Sequence, residues 1–335
     1  MEALASTLLE GLTEPALIAR DGQVIAANAG ARALLGESVD RMAVDQAIAH
    51  PAALEALGRP GGEVELTGLD GSRRHWLMHT AILDDGATLI RFLDRSEARA
   101  AEQMRVDFVA NASHELRTPL ATLIGYTETL REQSDEIDSA TRERFLGVVH
   151  DEARRMQRVV EDLISLSRIE AEKFTEPTEA VELEPLIDQA LQSMRRTAEE
   201  RGSALVRNVA ESLPRVAADR GQIAQLLDNL LTNALRYGEP GTPVTMAAQA
   251  EGPMVRLSVA DEGEGIPPQH IARVTERFYR VDTSRSRSLG GTGLGLSIVK
   301  HIVERHRGRL SIDSEVGNGT TVHVLLPVAA ANGVS

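Results

Sequence analysis

Between residues 94 and 172 the chain holds only three residues that disfavour a helix, Pro119, Gly125 and Gly147. Elsewhere glycine and proline are frequent. Within this stretch Met104, Phe108, Leu116, Leu120, Leu123 and Leu130 recur at helical spacing. A polar break, REQSDEIDSATRER, follows. A second series, Phe145, Val148, Glu152, Met156, Val159, Leu163 and Leu166, then runs near heptad spacing. Two long amphipathic helices joined by a short connection form an antiparallel hairpin. One hairpin alone has too little core to be stable. Two copies packed as a four-helix bundle bury both apolar stripes, so the pattern predicts a homodimer.

Composition narrows the function classes. The 335 residues carry 36 Lys and Arg against 50 Asp and Glu, a formal net charge of −14. Such a chain repels nucleic-acid phosphates, so no direct nucleic-acid partner is expected. There is no cysteine, which removes disulfides, thiolate nucleophiles and cysteine metal sites. Charged residues interrupt every apolar run before it reaches the ~18 residues of a membrane span. The acidic N-terminus lacks the basic segment of a signal peptide. The sequence therefore reads as soluble and cytoplasmic. Aromatic residues make up 3% against 42% hydrophobic, so aliphatic side chains must fill the cores.

The regions flanking the helices read differently. Residues 12 to 93 show two short apolar runs around Asp21-Gly22, a helical stretch, and later β-rich runs with a second Asp-Gly turn at Asp70-Gly71. Asp-Gly between apolar runs is a hairpin signal. Beyond Pro185 and the acidic TEPTEAVELEP stretch, VTMAAQA, MVRLSVAD and TTVHVLLP read as strands. IAQLLDNLLTNALRYG and GLGLSIVKHIVERHRG read as helices. That alternation predicts an α/β sandwich.

The first helix carries FVANASHELRTPLATLIGY. Asn111, His114 and Thr118 share one polar face. An accessible imidazole can act as a nucleophile through one nitrogen while the adjacent Glu115 accepts the proton of the other. Pro119 removes a backbone hydrogen bond and is expected to bend or loosen the helix just beyond His114. The other histidines have no comparable setting.

Four segments of the C-terminal region carry the pieces of a nucleotide pocket. In QLLDNLLTNALRYG, Asn229 and Asn233 lie one turn apart, and their amide oxygens suit Mg²⁺. Arg236 and Tyr237 follow within reach of phosphate and ribose. In SVADEGEGIPP a strand ends at Asp261, whose carboxylate can accept the amine of adenine, and Gly263 and Gly265 let the backbone approach the base. In ERFYRVDTSRSRSLGGTGLGLSIVKHIV, the run Gly290, Gly291, Gly293, Leu294 and Gly295 opens a helix and offers backbone N–H groups to phosphate. Arg280, Arg285 and Arg287 precede it on a polar stretch that reads as a mobile lid, anchored by Phe278 and Tyr279. In EVGNGTTVHVLLP, Thr321 is placed near the adenine. No Walker P-loop occurs.

The string H-E-L-R-T-P-L resembles the phosphoacceptor box of the sensor histidine kinases of two-component systems. The four nucleotide segments resemble, in chain order, the N, G1, F and G2 boxes and the C-terminal glycine box of the same family's Bergerat-type ATP-binding domain. The strand, helix and turn order of residues 12 to 93 resembles a PAS domain. Together with FVANASHELRTPL, it looks most like the phosphate-regulon sensor kinases of the PhoR type. The resemblance implies a multidomain α+β chain: a PAS-like sensor over 1–93, a dimerisation and histidine phosphotransfer hairpin over 94–175, and a catalytic ATP-binding domain over 176–330. It implies ATP and Mg²⁺ as cofactors, phosphorylation of His114 with Glu115 as base partner, and transfer to an aspartate of a response regulator receiver domain. Thr118 would position water for dephosphorylating that regulator. Sensors of the PhoR type carry membrane helices before the PAS domain, which this chain lacks; it reads as a soluble homologue or a shortened form of a membrane sensor. Two alternatives are a Bergerat ATPase of the chaperone or mismatch-repair class, which leaves H-E-L-R-T-P without a role, and a non-catalytic sensor scaffold.

Overall fold

The computed structural model describes residues 7–57, 59, 61–133, 137–172, 175–281 and 291–329. The chain divides into two compact units, one up to Val109 and one from Ala110.

In the first unit, β1 (Ala16–Arg20) and β2 (Gln23–Ala27) form the expected hairpin. Its turn residues Asp21 and Gly22 both have positive φ, 51° and 76°, which matches the right-handed twist of the strands. Three short helices follow, α1 (Ala29–Leu35), α2 (Val44–Ala47) and α3 (Pro51–Leu57). Then come β3 (Glu63–Thr67), β4 (His75–Ile82) and β5 (Thr88–Asp94). The strands make one antiparallel sheet in the order β2-β1-β5-β4-β3. Asn28 joins helix to sheet: its buried side-chain oxygen caps α1 at the Ala31 N–H and accepts from the Ala16 N–H, both at 2.9 Å. Trp76 and Phe92 are buried in a core of Leu17, Val24, Ile48, Leu66, Met78 and Ile90.

The long helices are α4 (Ser96–Glu132) and α5 (Ser139–Ala171). The polar break is shorter than the expected REQSDEIDSATRER. Asp138 accepts from the Thr141 N–H at 2.8 Å and so starts α5 within the polar run. Pro119 lies inside α4, which continues through it. Val159, Leu166 and Ile169 of α5 are buried, and Tyr126 packs edge-on to Phe145 with centroids 4.9 Å apart. Leu120, expected in the buried stripe, is 46% exposed, and so are Ile124 (48%) and Ile164 (49%). A two-helix hairpin has only one inner seam, and these residues fall outside it.

The α/β part contains β6 (Ala180–Val181), α6 (Leu183–Glu200), β7 (Leu205–Val209), β8 (Val216–Ala217), α7 (Arg220–Tyr237), β9 (Val244–Glu251), β10 (Met254–Asp261), α8 (Pro268–Ile271), α9 (Gly295–Arg305), β11 (Arg309–Glu315) and β12 (Gly319–Pro327). The five-stranded sheet runs β11-β12-β10-β9-β7, with only the β7–β9 pair parallel. Alternate residues Val255, Leu257 and Val259 of β10 are buried beneath α7, whose Leu226, Leu227, Leu230 and Leu231 are buried, and α9, with Ile298, Val299 and Ile302 buried, packs beside α7. Each buried aliphatic side chain contributes roughly 1.5–3 kcal/mol. The core is built from aliphatic residues, as the low aromatic content requires.

Candidate functional site

α4 holds His114 and Thr118 on its exposed face, and the Thr118 hydroxyl donates to the His114 carbonyl at 3.4 Å. Glu115 points elsewhere. Its carboxylate accepts from Arg155 of α5 at 3.1 Å and lies 3.6 Å from Arg280. This differs from the expectation that Glu115 orients the imidazole. Consecutive helical residues diverge by about 100°, so Glu115 faces α5 and the α/β part while His114 faces outward.

Four of the predicted segments meet around one cavity of about 520 Å³. Asn229, Asn233, Arg236 and Tyr237 of α7 line it, together with Asp261, Gly265, Arg280, Gly291, Gly293 and Gly295. The two amides converge on the start of α9: a Cβ at Gly295 would lie 3.2 Å from Asn229 Oδ1 and 3.5 Å from Asn233 Nδ2. Gly265 is required by geometry, since its φ is +71° and a Cβ would lie 2.1 Å from the Glu315 carbonyl. Burial raises the Asp261 carboxyl to about 6, although N–H groups of Gly263 and Thr320 donate to it and oppose the shift.

Three predicted residues do not line the cavity. Thr321 is corrected to its neighbours: β12 pairs Thr320 with Asp261, and alternation along the strand turns Thr320 and Val322 into the cavity instead. Leu294 is fully buried at the N-cap of α9, where it belongs to the core. Gly263 stands behind the cavity and donates its N–H to Asp261 Oδ1 at 2.9 Å. Arg285, Arg287, Gly290 and most of the expected lid lie outside the described residues. The lid's anchors are placed. Phe278, at φ +62°, donates its N–H to the Gly293 carbonyl at 2.9 Å. The Tyr279 hydroxyl meets His270 Nδ1 at 2.5 Å, and Arg273 stacks over its ring.

Sequence reasoning missed the contribution of α5. Arg158, Glu161 and Asp162 line the same cavity. Asp162 Oδ2 accepts from the Thr292 hydroxyl at 2.9 Å, Ser165 donates to Gln225 at 2.7 Å, Glu170 pairs with Arg277, and Glu172 pairs with Arg305 at 2.8 Å. No local pattern in α5 signals these contacts, because they depend on how the helix packs. Burial lowers the Arg236 guanidinium, and the nearby charges of Arg158 and Arg280 lower it further.

Residues 104–172 match the family model of the His Kinase A (phospho-acceptor) domain. Residues 218–330 match that of the histidine kinase-, DNA gyrase B- and HSP90-like ATPases. The chain carries the two-domain core of a sensor histidine kinase. In that core the first domain holds His114, and the second supplies most of the cavity, with Arg158, Glu161 and Asp162 of the first domain completing its lining. Sensor histidine kinase WalK of Bacillus subtilis is 39% identical over 236 residues, covering 70% of this chain and 38% of WalK. Sensor protein SrrB of Staphylococcus aureus is 34% identical over 276 residues, covering 79% of this chain and 46% of SrrB. The chain thus spans less than half the length of these relatives. Among solved structures, full-length ShkA in complex with AMPPNP aligns with a TM-score of 0.50 and 30% identity, over 69% of this chain and 46% of ShkA. Histidine kinase ThkA in complex with response regulator protein TrrA aligns with a TM-score of 0.56 over 96% of this chain and 98% of that one; at 20% identity it shows a shared fold. Among the described residues, no helix is long and apolar enough to cross a membrane.

Proposed function

We propose that this histidine kinase phosphorylates itself on His114 with ATP bound in the α7–α9 cavity and passes the phosphoryl group to an aspartate of a response regulator receiver domain. The observation that carries the reading is the convergence of two amides, a half-buried carboxylate and a glycine-rich helix start on one cavity, in a unit that also presents an exposed histidine. ShkA, 30% identical, is solved with the ATP analogue AMPPNP, which supports the nucleotide assignment.

Asp261 accepts the adenine amine, and Thr320 rather than Thr321 stands beside it. Arg236, Tyr237 and Arg280 reach ribose and phosphates. Backbone N–H groups from Gly291 to Gly295 face the phosphates at the α9 terminus. The amide oxygens of Asn229 and Asn233 fit a hard cation, and Mg²⁺ bound there would neutralise charge on the phosphates. His114 attacks the γ-phosphorus through its unprotonated ring nitrogen; the N–P bond forms, the bond to the β-phosphate oxygen breaks and ADP leaves. Glu115 stabilises the imidazolium that forms, and to do so it must leave Arg155 and Arg280. Since His114 does not line the cavity, the ATP-binding domain has to move to bring the groups in line. Catalysis then rests on positioning and electrostatics. Thr118 positions water for dephosphorylating the regulator.

A homodimer follows from the exposed apolar residues Leu120, Ile124, Leu146, Val160 and Ile164, which a second hairpin would cover. Residues 1–93 act as a PAS-type sensor, a reading supported by the sheet order β2-β1-β5-β4-β3. The finer assignment to the phosphate-regulon type rests on that domain and on FVANASHELRTPL. The function is tested by incubation with γ-labelled ATP and Mg²⁺. Acid-labile label should appear on the wild type and vanish in His114→Ala; ATP binding with no label in the wild type would favour an ATPase or a scaffold.

A further inference from the structure

The end of the cavity nearest the glycine-rich loop gathers positive charge. Arg158 of α5, Arg236 of α7 and Arg280 all line it. Arg158 and Arg280 each lower the guanidinium of Arg236, and Asp162 opposes them. Like charges crowded in a partly buried site require an anion. Among the described residues, two carboxylates of the helical hairpin act on these cations, that of Glu115 directly and that of Asp162 through longer-range attraction to Arg236 and Arg158. Glu115 lies 3.6 Å from Arg280, and Asp162 accepts from Thr292 at 2.9 Å. Thr292, flanked by Gly291 and Gly293, is 9% exposed, and its hydroxyl oxygen also accepts from the Leu294 N–H at 3.2 Å. Asp162 is thus tied to the residue that shapes the turn into α9. Burial raises the Asp162 carboxyl above its ordinary value, so the charge is held there at a cost.

We propose that Asp162 is an internal stand-in for nucleotide phosphate: its carboxylate neutralises the arginine-rich end of the cavity, fastens α5 to the glycine-rich loop, and is displaced when a nucleoside triphosphate binds. The proposal rests on the nucleotide reading of the cavity and adds a regulatory role for the lining that α5 supplies. Nucleotide and Asp162 compete for the same cations. Loading therefore loosens α5 from the ATP-binding domain, and the contact weakens nucleotide affinity by the same factor. The domain that must travel to His114 is in this way released by the substrate it delivers. Asp162 touches no reacting atom; it is a positioning residue.

The test measures affinity of the full chain for AMPPNP with Mg²⁺ by calorimetry, in the wild type and in Asp162→Asn, which keeps shape and removes charge. Loss of one charge-assisted contact should tighten binding roughly tenfold. A second readout follows position directly. The chain has no cysteine, so Arg154→Cys on α5 and Glu304→Cys on α9 can carry a spin-label pair. AMPPNP should lengthen the distance with Asp162 present, and Asp162→Asn should show the longer distance without nucleotide. Equal or weaker affinity in Asp162→Asn, or a distance that AMPPNP leaves unchanged, overturns the proposal. In that case binding that is lost in Asn233→Ala keeps the nucleotide reading intact. Failure of the wild type to bind AMPPNP at all overturns both.

Discussion

His114 stands exposed on a long helix, whereas Asn229, Asn233 and Asp261 crowd into a cavity where the backbone of three segments nearly touches. In the proposed reaction the first environment leaves a nucleophile accessible to two successive partners, the γ-phosphate and then a receiver domain. The second would hold phosphates in a fixed position, which is most of what the proposed phosphoryl transfer needs. The helix is tolerant by construction and the cavity is not. One molecule can hold both because the tight site is built on an aliphatic α/β core and the exposed histidine on a hairpin.

The same substitution should separate these regions. Gly265→Ala forces φ +71° on a residue with a Cβ that would meet the Glu315 carbonyl at 2.1 Å. It should destabilise the ATP-binding domain by about 2–4 kcal/mol in denaturant unfolding. Asp261→Asn should weaken AMPPNP binding by roughly 10–100-fold, as expected for a hydrogen bond to a charged acceptor. It should also raise stability above pH 6, since a desolvated charge is removed. The pH dependence has a defined sign. Asp261 titrates at about 6 against an ordinary 3.8, so the folded protein holds this proton more tightly than the unfolded chain. Between pH 4 and 6 the group favours folding increasingly as pH falls. Nucleotide affinity should meanwhile drop as pH falls through 6, because the acceptor becomes protonated; an affinity flat from pH 7.5 to 5 would remove Asp261 from the base-binding role. The smallest effect is expected on the helix. Gly125 of α4 has open space around its Cβ position, so Gly125→Ala should stabilise by about 0.5–1 kcal/mol. If Gly125→Ala proves as damaging as Gly265→Ala, the contrast between the two regions is wrong.

The sequence made some of this legible and hid the rest for physical reasons. Asn229 and Asn233 could be placed on one face because helical spacing alone fixes their relation. Asp21-Gly22 identified its hairpin because that turn demands positive φ at both residues. Thr321 was placed one residue off. Which face of β12 meets the cavity depends on its register with β10, and a strand edge of alternating Thr320, Thr321 and Val322 does not reveal that phase. Asp162 and Arg158 were invisible as cavity residues. They lie on the outward positions of a helix whose apolar series describes only its own seam, and Thr292, the hydrogen-bond partner of Asp162, is 130 residues away. Glu115 was read as the neighbour of His114 in sequence, but a helix separates what the chain joins, and its partners are arginines on two other elements.

The most direct test of the account follows phosphorus itself. The full chain, incubated with Mg²⁺ and ATP and observed by ³¹P NMR at neutral pH, should show a protein-bound phosphohistidine resonance that grows as ADP appears and is absent in His114→Gln. Appearance of ADP and inorganic phosphate in equal amounts, with no protein-bound resonance in the wild type, would contradict the claim that the cavity serves His114.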